Sequence, residues 1–209
     1  MEADGSRTGL LIFRELKSNS LNGSKNYDIR KDEVLPPLGS WWVGSDKGSK
    51  ANMSRYGLEI ARKYGAKLPG FQCSEDANIY WSRYRSDHLT LLDHISEYSN
   101  SFSPDYCPDS LKTLEKWYFD LYENDSFKLF NIDRSTFESC MAMYLGEVIV
   151  RNTEADWIVE AFAFVSGKYE LGVRKGTYTV MLWRLSDHYQ TPNNKRMQST
   201  YRGYKKFAD

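Results

Sequence analysis

The sequence predicts an α+β protein in which a helical N-terminal portion packs on a helix plus three-stranded antiparallel meander. Three observations carry this. From Asp133 to Val148, the residues Phe137, Cys140, Met141, Tyr144, Leu145 and Val148 recur at steps of three and four, the apolar stripe of a helix. After Asn152-Thr153 the period changes, and Trp157 to Phe164, Tyr169 to Arg174 and Thr177 to Leu185 read as strands parted by Ser166-Gly167 and Lys175-Gly176. Upstream, three further stretches carry helical spacing between Pro and Gly breaks.

Taken in order, residues 1–50 are weakly patterned. Gly9 to Glu15 fits a short strand, and Ser18 to Lys25 and Leu35 to Ser40 read as loops. Trp41-Trp42 follows, either as a lid over the core or as an exposed contact. A helix from about Asn52 to Lys63 carries Met53, Tyr56, Ile60 and Tyr64 on one face, with Gly65 as its C-cap. The longest helix spans Asp76 to Tyr98, started by Ser74 or Asp76, with Tyr80, Tyr84, His88, Leu91, Ile95 and Tyr98 as its stripe. Another opens at Pro108 with Cys107 as N-cap. It buries Leu111, Leu114, Trp117, Leu121 and Tyr122, and leaves Lys112, Glu115, Asp120 and Glu123 in solvent. For the helix after Asp133, Ser135 with Glu138 fits a capping box, and Asp133 is the alternative N-cap. The tail from Gln190 is basic, either a short terminal helix or a loose extension. The 209 residues are thus expected to form one domain: an irregular and helical part over 1–70, a helical and meander core over 75–185, and a basic tail over 190–209.

Composition narrows the function classes. With 41% hydrophobic residues, 15% of the chain aromatic, a packed core is expected and extended disorder is not. No run nears the roughly 20 apolar residues of a membrane span. The start of the chain lacks the order of a signal peptide, so a cytoplasmic, non-membrane protein is expected. Cys73, Cys107 and Cys140, odd in number and widely spaced, fit a reducing compartment. The net charge is zero but unevenly laid out. Residues 74–160 hold 17 Asp and Glu against 7 Lys and Arg, between basic flanks. Such an acidic middle either complements the rest of the fold or steers a basic partner.

Candidate chemistry is sparse. His88 and His94 stand six residues apart, on different helix faces, so no paired metal ligands arise and neither metal nor cofactor is expected. Cys140 lies on an apolar face and reads as a core thiol, and no phosphate-binding loop or nucleophile elbow is present. Glu147 stands out, a carboxylate after Gly146 in an otherwise apolar helix. It needs a partner such as Arg151 at i+4 or the indole of Trp157. In the tail, lysines and arginines interleave with Tyr201, Tyr204 and Phe207, but the acidic centre opposes a nucleic acid.

The run Tyr144-Leu145-Gly146-Glu147-Val148-Ile149 followed by Trp157, with Cys107-Pro108-Asp109-Ser110-Leu111-Lys112-Thr113-Leu114-Glu115 upstream, resembles bacterial accessory proteins, some of them similar to immunity proteins that neutralise toxins. Those proteins usually carry Ser where Cys107 stands. Separately, Pro192 to Gln198 resembles the tails of proteins encoded on mobile integron gene cassettes. The first resemblance implies a non-enzymatic, protein-binding accessory protein, most concretely an immunity-type inhibitor. Its acidic helical region would meet a basic partner, possibly a toxin, through Asp87, Asp93, Glu97, Asp120, Glu123 and Asp125, with Tyr84 and Tyr98 as anchors. The alternative is a small ligand-binding protein or enzyme with an aromatic-lined pocket formed by Trp81, Tyr84, Tyr144, Glu147 and Trp157.

Overall fold

The computed structural model describes residues 55–182 and 199–208. Within them the order is α1 (Arg55–Lys67), α2 (Ser74–Ser96), α3 (Ser110–Glu123), a 3₁₀ turn (Phe127–Phe130), α4 (Arg134–Asn152), β1 (Asp156–Ala161), β2 (Tyr169–Lys175), β3 (Tyr178–Met181) and α5 (Ser199–Ala208). The strands form one antiparallel sheet in the order β1-β2-β3, so the α+β class and the meander are as the sequence predicts. The expected strand over Gly9–Glu15, the Trp41-Trp42 segment and Pro192–Gln198 lie outside the described residues.

Helix α4 is the hub. Apart from Ser139 and Glu147, every residue from Phe137 to Ile149 is buried, because α2, α3, α5 and the sheet all pack on it. A helix apolar nearly all round is one enclosed on all sides. Its start is set by Asp133, whose Oδ1 accepts from Thr136 N at 2.7 Å. That selects the alternative cap over the Ser135–Glu138 box. Glu138 is instead buried, accepting from Tyr118 Oη at 2.6 Å and Arg134 Nε at 2.7 Å.

The sheet obeys the period of two. Trp157, Val159, Leu171, Val173, Tyr178 and Val180 line the face joined to the helical core, while Glu160, Glu170, Gly172, Arg174 and Thr179 line the other. Lys175 pairs with Tyr178, leaving a two-residue loop with Gly176 at φ 56° in its first position. That is the conformation a primed hairpin turn requires of Gly.

Four local expectations are corrected. Gly65 does not cap α1 but lies inside it, where a Cβ would run into the Phe162 ring and Val165. The glycine is there for close approach of the helix to the connection after β1. The buried face of α2 runs through Ala77, Trp81, Leu92 and Ile95, rotated from the expected stripe, so that Tyr80 and Tyr98 are exposed. Tyr80, Trp81 and Tyr84 put large rings on adjoining positions of this helix, and periodicity alone assigns such a helix to the wrong phase. The segment after Cys107 makes turn-type bonds, Ser110 N to Cys107 O and Leu111 N to Pro108 O, before regular helix begins at Ser110. Glu115, expected in solvent, is 1% exposed, because α5 covers it.

The tail's ambiguity resolves as a docked helix. Thr200, Tyr204 and Phe207 of α5 are buried against α3 and α4. Glu115 receives Thr200 Oγ1 at 3.0 Å and Thr200 N at 3.4 Å at the start of α5, and Lys175 Nζ donates to Phe207 O at its end. A carboxylate at the N-terminus and an ammonium at the C-terminus answer the orphan groups and the dipole of that helix together.

Candidate functional site

A polar and aromatic cluster joins α2, the loop before α3, α4 and β1. It starts from Glu147, whose two oxygens accept from Arg151 Nε at 2.8 Å and from Trp157 Nε1 at 3.2 Å. Both partners expected for this carboxylate are therefore engaged. Gly146 makes the approach of the indole possible, since a Cβ there would overlap the Trp157 ring. The Trp157 ring also carries the Arg85 guanidinium of α2, 5.0 Å from its centroid. Arg151 lies 3.7 Å over the ring of Tyr106, a cation–π contact.

Tyr106 is the unusual residue. Its φ of 58° places a bulky side chain in the left-handed region, at a cost of roughly 1 to 3 kcal/mol. The surroundings hold it there. Tyr106 N donates to Tyr144 Oη at 2.9 Å, Tyr106 O accepts from Asn152 Nδ2 at 2.9 Å, and the ring stacks on Tyr144 at 4.9 Å. Tyr144 Oη also shares a 2.6 Å hydrogen bond with Ser110 Oγ, and burial pushes its hydroxyl up to about 12. Partial burial raises Asp93 above the ordinary carboxylate range, opposed by its hydrogen bond with Tyr106 and by Arg151. Burial, with Asp93 next, raises Tyr106 as well.

The structure thus brings Asp93 from the expected contact face together with Tyr144, Glu147 and Trp157 from the expected pocket. Trp81 and Tyr144 have no exposed surface, and Trp81 packs edge-on to Tyr80 and Tyr84 at 5.1 and 5.2 Å. Glu147 and Trp157 are half-buried at the surface, so these four do not share one environment. Tyr84, half-buried, lies over His88 at 3.9 Å, and burial holds that imidazole below its ordinary pKa.

The acidic residues divide. Asp87, Asp93 and Glu97 are exposed on or just after α2, and Tyr98 beside them is 71% exposed with its ring edge-on to His94 at 5.5 Å. Asp120, Glu123 and Asp125 belong to α3 and its following turn, whose main neighbours are α4 and α5. Local cations answer several of them: Arg83 for Asp87 at 3.6 Å, Lys116 for Asp120 at 2.9 Å and Lys128 for Asp125 at 2.9 Å. These six acidic residues are thus spread over α2, α3 and the turns after them.

Sequence reasoning missed Tyr106, Arg85 and Asn152 as members of the cluster. Two prolines flank Tyr106 at positions 104 and 108, a turn signal, but nothing local announces a left-handed tyrosine. Chemically, the cluster presents planar cations and rings already held in place, with both carboxylates engaged. Among the described residues, no group of three or more His, Cys, Asp or Glu could hold a metal ion, and no helix is long and apolar enough to cross a membrane.

Comparison with known proteins adds two findings. The model of a family described as "Uncharacterised protein YwmA" matches residues 70–208. The chain is also 30% identical over 115 residues to the "Uncharacterized protein YwmA" of Bacillus subtilis (strain 168), a match covering 54% of this chain and 73% of that protein. No solved structure matches. The family span ends at 208, so it includes the whole of α5.

Proposed function

The chain belongs to the YwmA family, and from that premise we propose that it is a non-enzymatic protein-binding protein whose α2 face engages a basic partner. The observation that carries this is Tyr98, a large ring 71% exposed at the end of α2 among Asp93, His94 and Glu97. An exposed tyrosine rimmed by carboxylates has the composition of an interface hot spot. Asp93 of the same helix is tied to Tyr106 and Arg151 of the ordered cluster, which lowers the ordering cost of association. In its most specific form the proposal is an immunity-type inhibitor, with α2 occluding the active site of a basic toxin.

The test starts from the tagged full chain as bait in host lysate, with retained proteins identified by mass spectrometry. The triple variant Asp87→Lys/Glu97→Lys/Tyr98→Ala, which alters exposed side chains only, is run in parallel. A basic protein held by the wild type is expected to associate with the variant about tenfold or more slowly, with circular dichroism and Tm unchanged. Association of the variant at the wild-type rate would remove the α2 face from the interaction.

A further inference from the structure

Helix α5 has two sides of opposite character. Thr200, Tyr204 and Phe207 are buried where the helix packs on α3 and α4, while Arg202, Lys205 and Lys206 are exposed. These three cations stand at i, i+3 and i+4, so their charges share one face. No acidic residue occurs from His188 to Ala208 to offset them. Like charges at such spacing weaken a helix, and a short one most of all. The helix dipole accounts for Lys205 and Lys206 in the last turn, but not for Arg202 nearer the positive end.

The elements that hold α5 add to this charge. Lys112 of α3 sets its Nζ 3.9 Å from the centroid of the Tyr201 ring, and Lys205 Nζ lies 5.8 Å from the same centroid. Tyr201 is only half-buried, so part of that ring meets solvent beside two ammonium groups. Lys175 of β2 reaches the last turn of α5 at Phe207 O. Two carboxylates of the α3 region lie close by, and both are engaged. Glu115 is buried and accepts from Thr200, and Asp109 is paired with Lys112 at 2.6 Å.

We propose that the outer face of α5, with Lys112 and Tyr201, binds single-stranded nucleic acid through its phosphates, Tyr201 stacking on a base and no sequence being read. The chemistry of the face selects this partner. Lysine is depleted in protein–protein interfaces, and two of the three cations of α5 are lysines. A helix that binds a lipid surface sinks apolar side chains into it beside its cations, and here Tyr204 and Phe207 are turned into the core. A sugar-phosphate backbone asks for closely spaced cations, and a ring at their side gives a base something to stack on. This inference is independent of the α2 face.

Fluorescence anisotropy of a labelled oligo(dT) of about 20 nucleotides, titrated with the full chain over a salt series, tests it. With roughly three or four phosphates neutralised, affinity is expected to fall roughly 20- to 50-fold for each fourfold rise in salt. The variant Arg202→Gln/Lys205→Gln/Lys206→Gln, which leaves Tyr204 and Phe207 in place, is expected to bind about tenfold or more weakly with a flatter salt dependence. Its amides over 199–208 should keep their protection from hydrogen exchange, showing α5 still docked. Tyr201→Leu is expected to bind about fivefold or more weakly with the salt dependence kept. No binding by the wild type at low salt, or wild-type affinity in either variant, would overturn the proposal. Displacement of the oligonucleotide by polyglutamate as readily as by unlabelled oligo(dT) would point to an acidic protein instead, and tighter binding to phosphatidylserine vesicles would point to a membrane; either result also overturns it.

Discussion

Gly146 and Glu147 show how two adjacent residues can be explained only by a third that lies ten positions on. A glycine inside a helix costs about 1 kcal/mol against alanine, and a carboxylate on an apolar helix needs a partner. Trp157 answers both, with its ring in the space a Cβ would take and its N–H on the carboxylate. Gly146→Ala is therefore expected to lower stability by about 1 to 2 kcal/mol in spite of the better helix former, because overpacking outweighs propensity. Urea unfolding followed by tryptophan fluorescence measures this. In a Trp157→Leu background the same alanine should cost less, with only the contact to Leu182 left to relax, a coupling that a double-mutant cycle reads directly. Cys140 belongs to the same scale. Burial pushes its thiol up to about 12, so in the folded chain at pH 8 it should resist iodoacetamide while the partly exposed Cys73 and Cys107 react.

At the scale of elements, α5 is the clearest case of a segment whose state its own sequence leaves open. Ten residues rarely form a stable helix alone in water. Here burial of Tyr204 and Phe207, and terminal groups from α3 and β2, supply what propensity does not. Glu115→Ala leaves the Thr200 amide and hydroxyl in a buried site without that acceptor and is expected to cost roughly 1 to 3 kcal/mol. Hydrogen exchange over 199–208 should report the loss locally, with α2 unaffected. Lys175→Met, at the partly exposed other end, is expected to cost no more than about 1 kcal/mol. Equal effects of the two substitutions would contradict the difference in burial.

Across the whole molecule, charge layout governs what a partner meets. The central segment's excess of 17 acidic over 7 basic residues does not form one surface. Glu115 and Glu138 are buried, Asp120 and Asp125 pair with the nearby Lys116 and Lys128, and the remaining acidic residues are spread over several elements. Partner association should consequently distinguish among them. Charge reversal at Asp87 and Glu97 should lower the on-rate and flatten its dependence on salt, while reversal at Asp120, Glu123 and Asp125 should leave both nearly unchanged. Stopped-flow association over a salt series separates these outcomes.

The sequence by itself determined the class, the helix from Asp133 and the meander, because 3.6- and 2-residue periods and Gly turns are local signals. It also determined the partners of Glu147, since a carboxylate among apolar residues leaves few choices within reach. Tertiary structure decided the phase of α2, whose aromatic residues occur on more than one face, and it decided that Glu115 and Glu170 are buried, because each is covered by an element distant in sequence. It alone decided the cluster around Tyr106. A left-handed tyrosine is stable there only because Tyr144, Asn152 and Arg151, between 38 and 46 residues away, converge on it from one helix.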